Sequence, residues 1–409
     1  MDTYSELRSR GFVQQQSDEK EIETALNNGE TTFYVGFDAT ADSLHVGHLL
    51  AIMAMAHLQK GGHKPIAIIG GGTTMIGDPS GKTEMRKILT LEEINANGKK
   101  LLEQLKRYLD FSENKALFVN NADWLIGLNY IEFLRDIGKY FRVNEMIKME
   151  AYKLRLAREE GLSFLEFNYQ LLQAYDYLQL FEKYGCRLQM GGDDQWGNIL
   201  AGVDLIRKVK GENVYALTFP LLTTASGGKM GKTENGAVWL DAEKTSPYEY
   251  YQYWINCNDK DTSKFLKIFT FLSLAEIDEL CEESGEKIRI AKEALAYEAT
   301  KITHGLNEAD KARETSKKLF SSGDVASLDN IPSTEISADE IGSMTAIDIF
   351  VKSGLCDSKG EARKLIESSG AYINDESIDS DIANISKYIK DDAIILRRGK
   401  KTYHKIIIS

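Results

Sequence analysis

Two histidines three residues apart, His45-Val-Gly-His48, open a predicted helix at 45–60. That spacing puts both imidazoles on one helix face. A helix N-terminus also presents unpaired N–H groups and positive dipole to an anion. Two ring N–H groups there can donate to phosphate oxygens, and Gly47 leaves room for a flat group against the backbone. The same pair serves equally as an ordinary polar cap. A metal site would need a third ligand, and none of the four other histidines lies beside the pair in sequence.

A second cationic feature is Lys229-Met-Gly-Lys232-Thr233, in the Gly-rich setting of Ser226-Gly-Gly. Two lysines on a loop can swing onto a polyphosphate and stabilise the charge that grows on departing pyrophosphate. Alone, such a run is just as well a solvated basic turn. Gly81-Lys82-Thr83 and Gly231-Lys232-Thr233 both imitate the end of a P-loop. That motif needs a further glycine five positions before its second one. Those positions hold Ile76 and Ser226, so neither segment qualifies.

On a predicted helix at 165–184, Tyr169, Gln173 and Asp176 fall at i, i+4 and i+7 and form one stripe. Turned inward they line a polar pocket; turned outward they are a solvated edge. The flanking Leu, Tyr and Phe residues favour the pocket. Gln189-Met-Gly-Gly-Asp-Asp194-Gln195 follows a predicted strand directly, where ligands of open α/β sheets bind. A plain Gly/Asp turn reads the same way. Near the C-terminus Arg397, Arg398, Lys400, Lys401 and Lys405 fall within nine residues containing no acid, with Tyr403 and His404 among them. Such a patch suits a phosphate backbone; a solvated tail is the alternative.

The elements that must position these groups are legible by pattern. Residues 31–37 are β-branched and aromatic and predict a strand. The helix at 45–60 is stopped by Gly61-Gly62, and 65–71 is an apolar run of buried-strand type. Strand, helix and buried strand make a βαβ unit, hence a parallel sheet. Further strands are expected at 116–119, 187–190 and 214–219. The organisation expected is a Rossmann-like α/β domain over 1–220 with a helical insertion, a lysine-loop region at 221–246 and an all-helical domain at 247–320. A linker at 321–343 and a small α+β unit at 344–409 follow, the latter with a helix at 358–368 and short strands at 371–374 and 393–396.

The chain has 409 residues, enough for two or three domains, and its 43% hydrophobic and 27% charged residues exclude a wholly disordered or collagen-like chain. No run approaches the roughly 18 apolar residues of a membrane helix. The polar N-terminal 20 residues resemble neither a signal nor a transit peptide. Four cysteines far apart, with no CxxC pair, exclude a local zinc knuckle and predict reduced thiols in a cytoplasm. The net charge of −12 leaves nucleic-acid binding to the local basic clusters.

Taken together these segments resemble the class I aminoacyl-tRNA synthetases. His45-Val-Gly-His48 is similar to their HIGH signature and Lys229-Met-Gly-Lys-Thr233 to their KMSKS signature. Tyr34-Val-Gly-Phe-Asp38, Gly77-Asp-Pro-Ser-Gly-Lys82, Asn168-Tyr-Gln-Leu-Leu-Gln-Ala-Tyr-Asp176 and Gly192-Asp-Asp-Gln-Trp-Gly-Asn198 resemble the bacterial-type tyrosyl branch across essentially the whole chain. Ser358-Lys-Gly-Glu-Ala-Arg-Lys-Leu-Ile366 and Gly370-Ala-Tyr-Ile-Asn374 resemble its S4-like RNA-binding end. Ala39 stands where the family commonly has proline, and Gly231 and Thr233 replace two serines of the lysine signature.

The resemblance implies tyrosine activation by ATP, then transfer to the 3′ end of tRNA(Tyr), in a homodimer, with Mg2+ accompanying ATP and no protein-held metal. It places Tyr34 and Asp176 on the substrate phenol, Asp78, Tyr169 and Gln173 on its ammonium, and Gln195 by its carboxylate. Gly36, Asp38, Gly47, Gly192 and Asp194 line the nucleotide. Thr40, His45, His48, Lys82, Arg86, Lys229 and Lys232 serve the phosphates, Lys232 also binding ATP. The basic run, Arg397, Arg398, Lys400 and Lys401, is assigned to tRNA. A tryptophanyl relative, and a non-catalytic RNA-binding protein on the same scaffold, are the alternatives; the retained histidines and cations oppose the latter.

Overall fold

The computed structural model describes residues 2–78, 89–157, 161–225, 227, 230, 232–233, 236–282, 286–321, 331–381, 385–390, 392–399 and 402–409. The chain divides into two compact units. The first comprises Met1–Lys232, Trp239–Asp241 and Asn258–Ala291, and the second Thr233–Val238, Ala242–Cys257 and Lys292–Ser409.

The first unit is built on five parallel strands, β1 (Thr32–Phe37), β2 (Lys64–Ile69), β3 (Leu117–Asn120), β4 (Leu188–Gly192) and β5 (Tyr215–Phe219). Their order is β3-β2-β1-β4-β5. Tyr34 stands opposite Ile66 on one side and Gln189 on the other. Each expected strand is present within two residues of its predicted ends. Helices cover both faces, which is why β2 reads as an unbroken apolar run rather than an alternating one.

The helix Leu49–Lys60 is buried nearly all round, from Leu49 to Leu58 except Ala51. It packs on β2 and against the helices Thr3–Arg10 and Asp259–Phe269. Arg10 donates to the carbonyls of Lys267, at 2.9 Å, and Leu272, at 2.8 Å, and so satisfies the end of the Asp259–Phe269 helix. On the other face Tyr34, Ile66, Ile68, Trp124, Tyr177 and Leu178 share one core. The helix expected at 165–184 is two pieces, Phe164–Phe167 and Tyr169–Tyr184, joined at Asn168. The stripe of Tyr169, Gln173 and Asp176 starts on the second piece and faces inward: Tyr169 and Asp176 are buried, and Gln173 is half-buried.

The stretch at 247–320 is helical as expected, and its helices are shared between the units. The second unit ends in a five-stranded sheet in the order Glu376–Ile378, Ala371–Ile373, Ala393–Arg398, Thr402–Ile408, Ser333–Ile336. The helices Ala346–Lys352 and Lys359–Glu367 share its apolar core. Ser333–Ile336 lies inside the segment read as linker. It pairs in parallel with Thr402–Ile408, and Ile331, Ile336 and Ile341 are buried. Four residues with one buried apolar side chain at the sheet edge give too short an alternation to register as a strand.

Candidate active site

β1 is flanked by β2 on one side and β4 on the other, so the chain reverses its winding at β1. Open parallel sheets bind ligands beyond the strand ends at that point. Asp38 follows β1, Gly70 to Thr73 follow β2, Asn121 follows β3, and the short turn Asp193–Gln195 follows β4. Gly36 is exposed although its neighbours in β1 are buried. A Cβ there would meet only Ile68 Cγ2, at 3.6 Å. The space over the central strand is therefore open rather than filled by protein.

At one end of this crevice Asp176 is 4% exposed. Its Oδ2 accepts from Asn121 Nδ2 at 2.8 Å and its Oδ1 from Trp124 Nε1 at 2.7 Å. Asn121 is itself braced, donating to Thr73 Oγ1 at 2.9 Å and accepting from Gly72 N at 2.8 Å. Burial pushes the Asp176 pKa up to about 7, against the opposing pull of its two hydrogen bonds. The Tyr34 hydroxyl is buried and has no hydrogen-bond partner among the described residues. Burial first, and the nearby Asp176 carboxylate second, raise its pKa well above the ordinary phenol value, so it remains a donor. A buried O–H without a partner costs roughly 1–3 kcal/mol, and beside a carboxylate with acceptor capacity to spare it fits a ligand group that both donates and accepts.

Further along, Gln195 Nε2 donates to Asp78 Oδ2 at 2.7 Å, and Asn198 Nδ2 to Gln195 Oε1 at 3.1 Å. Tyr152 donates to the carbonyl of Phe167 at 3.1 Å, fixing the turn from which Tyr169 starts its helix. A Cβ on Gly70 would lie 3.1 Å from Asp38 Oδ1, which places that carboxylate against the loop after β2. Thr40 and Asp194 are exposed.

His45 and His48 do come together, with ring centroids 4.0 Å apart. They lie just ahead of the α-helix, on the 3-10 turn Val46–His48, rather than inside its first turn. His45 Nδ1 accepts from Gly47 N at 3.0 Å and His48 Nδ1 from His45 N at 3.1 Å. Each ring thus accepts one backbone N–H on Nδ1, and a neutral ring of that kind carries its proton on Nε2. Burial, and then the neighbouring ring, push the His48 pKa down to about 3, so it is neutral near pH 7. Gly47 has a local reason that the sequence reading missed. A Cβ there would lie 2.7 Å from the His45 ring, so the glycine accommodates the folded-back imidazole. The Met230 carbonyl would be 3.6 Å from the same Cβ, and Trp239 bridges to His45 while Leu240 N donates to Leu44 O at 2.9 Å. These contacts bring segments bordering the two lysines next to the histidine signature.

Lys82, Arg86, Lys229, Lys400 and Lys401 lie outside the described residues, and of Lys232 only the backbone is described. Arg397 and Arg398 lie not on a tail but on a strand of an antiparallel hairpin. Arg397 stacks 3.6 Å over the Tyr372 ring and pairs with Asp375 at 3.1 Å; Arg398 pairs with Glu361 at 2.9 Å and donates to Leu355 O at 2.7 Å. Among the described residues no group of three or more His, Cys, Asp and Glu side chains is arranged to hold a metal ion. Sequence reasoning missed Asn121 and Trp124. The available signal was Asn120-Asn121 at the C-terminal end of a predicted strand, where site residues collect.

Residues 26–321 match the family model of class I tRNA synthetases (W and Y), and residues 325–406 that of the tyrosine--tRNA ligase SYY-like C-terminal domain. The chain belongs to the class I tRNA synthetase family of the tryptophan and tyrosine type. The tyrosine--tRNA ligase of Caldanaerobacter subterraneus subsp. tengcongensis is 52% identical over 403 residues, 98% of either chain. That of Acetivibrio thermocellus is 52% identical over 405 residues, again 98% of each. Among solved structures, a C-terminally truncated mitochondrial tyrosyl-tRNA synthetase from Aspergillus nidulans superposes with a TM-score of 0.71 at 32% identity, covering 78% of this chain and 94% of that one.

Proposed function

We propose that the crevice holds L-tyrosine with its phenol between Tyr34 and Asp176 and ATP over Gly36 and Asp38. The chain acts as a tyrosine--tRNA ligase, forming tyrosyl-adenylate and then charging tRNA. One observation carries the assignment of the phenol end: the unpartnered Tyr34 hydroxyl lies close to a buried carboxylate. A phenol donates to Asp176 and accepts from Tyr34 with one oxygen. An indole N–H can only donate, which leaves Tyr34 unsatisfied and disfavours tryptophan.

In the first step a tyrosine carboxylate oxygen attacks the α-phosphorus. The bond to the bridging β-phosphate oxygen breaks, and pyrophosphate leaves. The nucleophile is already an anion, so no general base is required. The barrier is charge build-up on the phosphates, and donors that tighten in the transition state lower it. His45 and His48 are assigned to supply Nε2–H donors for this. Thr40, Lys82, Arg86, Lys229 and Lys232 are assigned to the same phosphates on the strength of their motifs, and Mg2+ comes with ATP. In the second step a ribose hydroxyl at the tRNA 3′ end attacks the tyrosyl carbonyl and AMP departs.

Asp78, Tyr169 and Gln173 are assigned to the ammonium, Gln195 to the carboxylate, and Gly47, Gly192 and Asp194 to the nucleotide. The tRNA partner is assigned to the C-terminal unit. There Arg397 and Arg398 shape the surface, since each is already ion-paired, and Lys400 and Lys401, which follow them in sequence, are assigned the phosphate contacts. The homodimer reading is supported by large apolar side chains exposed between Ile126 and Leu165, among them Ile131 at 69% and Phe164 at 68%; sedimentation as a monomer at micromolar concentration refutes it. No helix among the described residues is long and apolar enough to cross a membrane, and a cytoplasmic location goes with the proposed partners. Tyrosine-dependent ATP–pyrophosphate exchange tests the function: exchange with tyrosine and none with tryptophan is expected, and the reverse preference overturns the reading.

A further inference from the structure

β5 is the last strand of its sheet, and its outer edge is covered by the chain's own N-terminal segment. Gln14 N donates to Thr218 O at 2.8 Å, Thr218 N to Gln15 O at 2.8 Å, and Ser17 N to Ala216 O at 3.0 Å, with Gln16 bridging Leu217. Protection of an edge strand accounts for this backbone pairing. It does not account for the side chains. Gln15 Nε2 donates to Asp193 Oδ1 at 2.7 Å, and Thr218 Oγ1 donates to the same oxygen at 2.8 Å. Gln15 N in turn donates to Thr218 Oγ1 at 3.1 Å. One carboxylate oxygen is therefore gripped from two segments remote from it in sequence.

Asp193 is the first residue of the turn Asp193–Gln195. Its two successors are the residues assigned to nucleotide and amino acid. Gln195 reaches Asp78, and Asp194 folds back so closely that a Cβ on Gly192 would lie 2.5 Å from its Oδ1. A three-residue 3-10 turn has little ladder of its own to fix it. Hydrogen bonds to an ionised acceptor are the stronger kind.

We infer that Asp193 is a positioning residue, held by Gln15 and Thr218, that fixes the turn presenting Asp194 to the nucleotide and Gln195 to the amino acid. The inference rests on the reading of the crevice as a tyrosine and ATP site. It makes the N-terminal strap part of the active-site scaffold. Small displacements of a binding group are costly to reaction geometry, and Asp194, the more exposed of the pair, has less else to hold it.

The test is pyrophosphate exchange with ATP and tyrosine varied in turn. Asp193→Ala should raise the KM for ATP about tenfold, with a smaller change in kcat and in the tyrosine KM. Asp193→Asn, which keeps an acceptor oxygen in place, should recover most of that loss. Gln15→Ala should raise the ATP KM less, and adding it to Asp193→Ala should add nothing. A lower melting temperature with an unchanged ATP KM would make the contact merely structural and overturn the inference. Should Asp193→Ala not fold, Gln15→Ala and Thr218→Val carry the same test, and an unchanged ATP KM in both overturns it. A wild type inactive with tyrosine undoes the functional reading itself, whereas an active wild type with unaltered variants undoes only the role of Asp193.

Discussion

At the end of the crevice proposed for the phenol, Asp176, Tyr34, Asn121 and Trp124 are all buried, and Asp176 is tied to two neighbours before any ligand arrives. At the end proposed for the nucleotide Thr40, Gly47 and Asp194 are exposed, and the rings of His45 and His48 accept hydrogen bonds from the backbone N–H groups of Gly47 and His45. A rigid, desolvated acid cannot adjust to a substrate that lacks the matching hydroxyl, so its unpaired groups become the basis of selection. Donors beside exposed residues suit a ligand that must enter and lose pyrophosphate within each turnover. The proposed assignment therefore puts selection and rate enhancement at different ends of one cleft, and substitutions at the two ends should have different kinetic signatures.

The largest separation is expected at the histidines. His45→Ala and His48→Ala should each lower the exchange kcat by about a hundredfold, the scale for losing one transition-state donor, with little change in tyrosine affinity. A matching rise in the tyrosine KM would mean that the two ends are not separate.

A smaller effect is expected from pH. In the proposed complex the phenol donates to ionised Asp176, whose pKa burial pushes up to about 7 in the unliganded protein. Protons then compete with tyrosine: affinity should rise with pH toward 7, by up to about tenfold per unit, and level off above it. Asn121→Ala removes one bond to the ionised form and should move that midpoint higher. A tyrosine titration flat from pH 6 to 8 contradicts the assignment. The sign for stability is opposite. Because the folded pKa stands above the ordinary carboxylate value, the unliganded fold loses stability as pH rises from about 4 through about 7.

The parts of this arrangement that were legible in the sequence are those with local causes. The five strands of the first sheet follow from β-branched and apolar runs, and the Tyr169, Gln173 and Asp176 stripe from helical spacing; burial of Asp176 settled which way the stripe faces. What escaped depends on partners far along the chain. Asn121 and Trp124 meet Asp176 across more than fifty residues, and no spacing rule joins them. Gly47 has a further, local cause that spacing does not reveal: a Cβ there would meet the folded-back His45 ring. Two members of the basic cluster near the C-terminus, Arg397 and Arg398, read as unpaired because their acids, Asp375 and Glu361, lie elsewhere in the chain.

The central claim is that Asp176 and Tyr34 select the phenol, and the ratio of exchange kcat/KM for tyrosine over phenylalanine measures it most directly. The wild type should prefer tyrosine strongly. Asp176→Asn should reduce that preference by about a hundredfold or more, since a buried charged acceptor is replaced by a neutral one, while activity with phenylalanine changes far less. A preference unchanged in a folded Asp176→Asn variant would contradict the account.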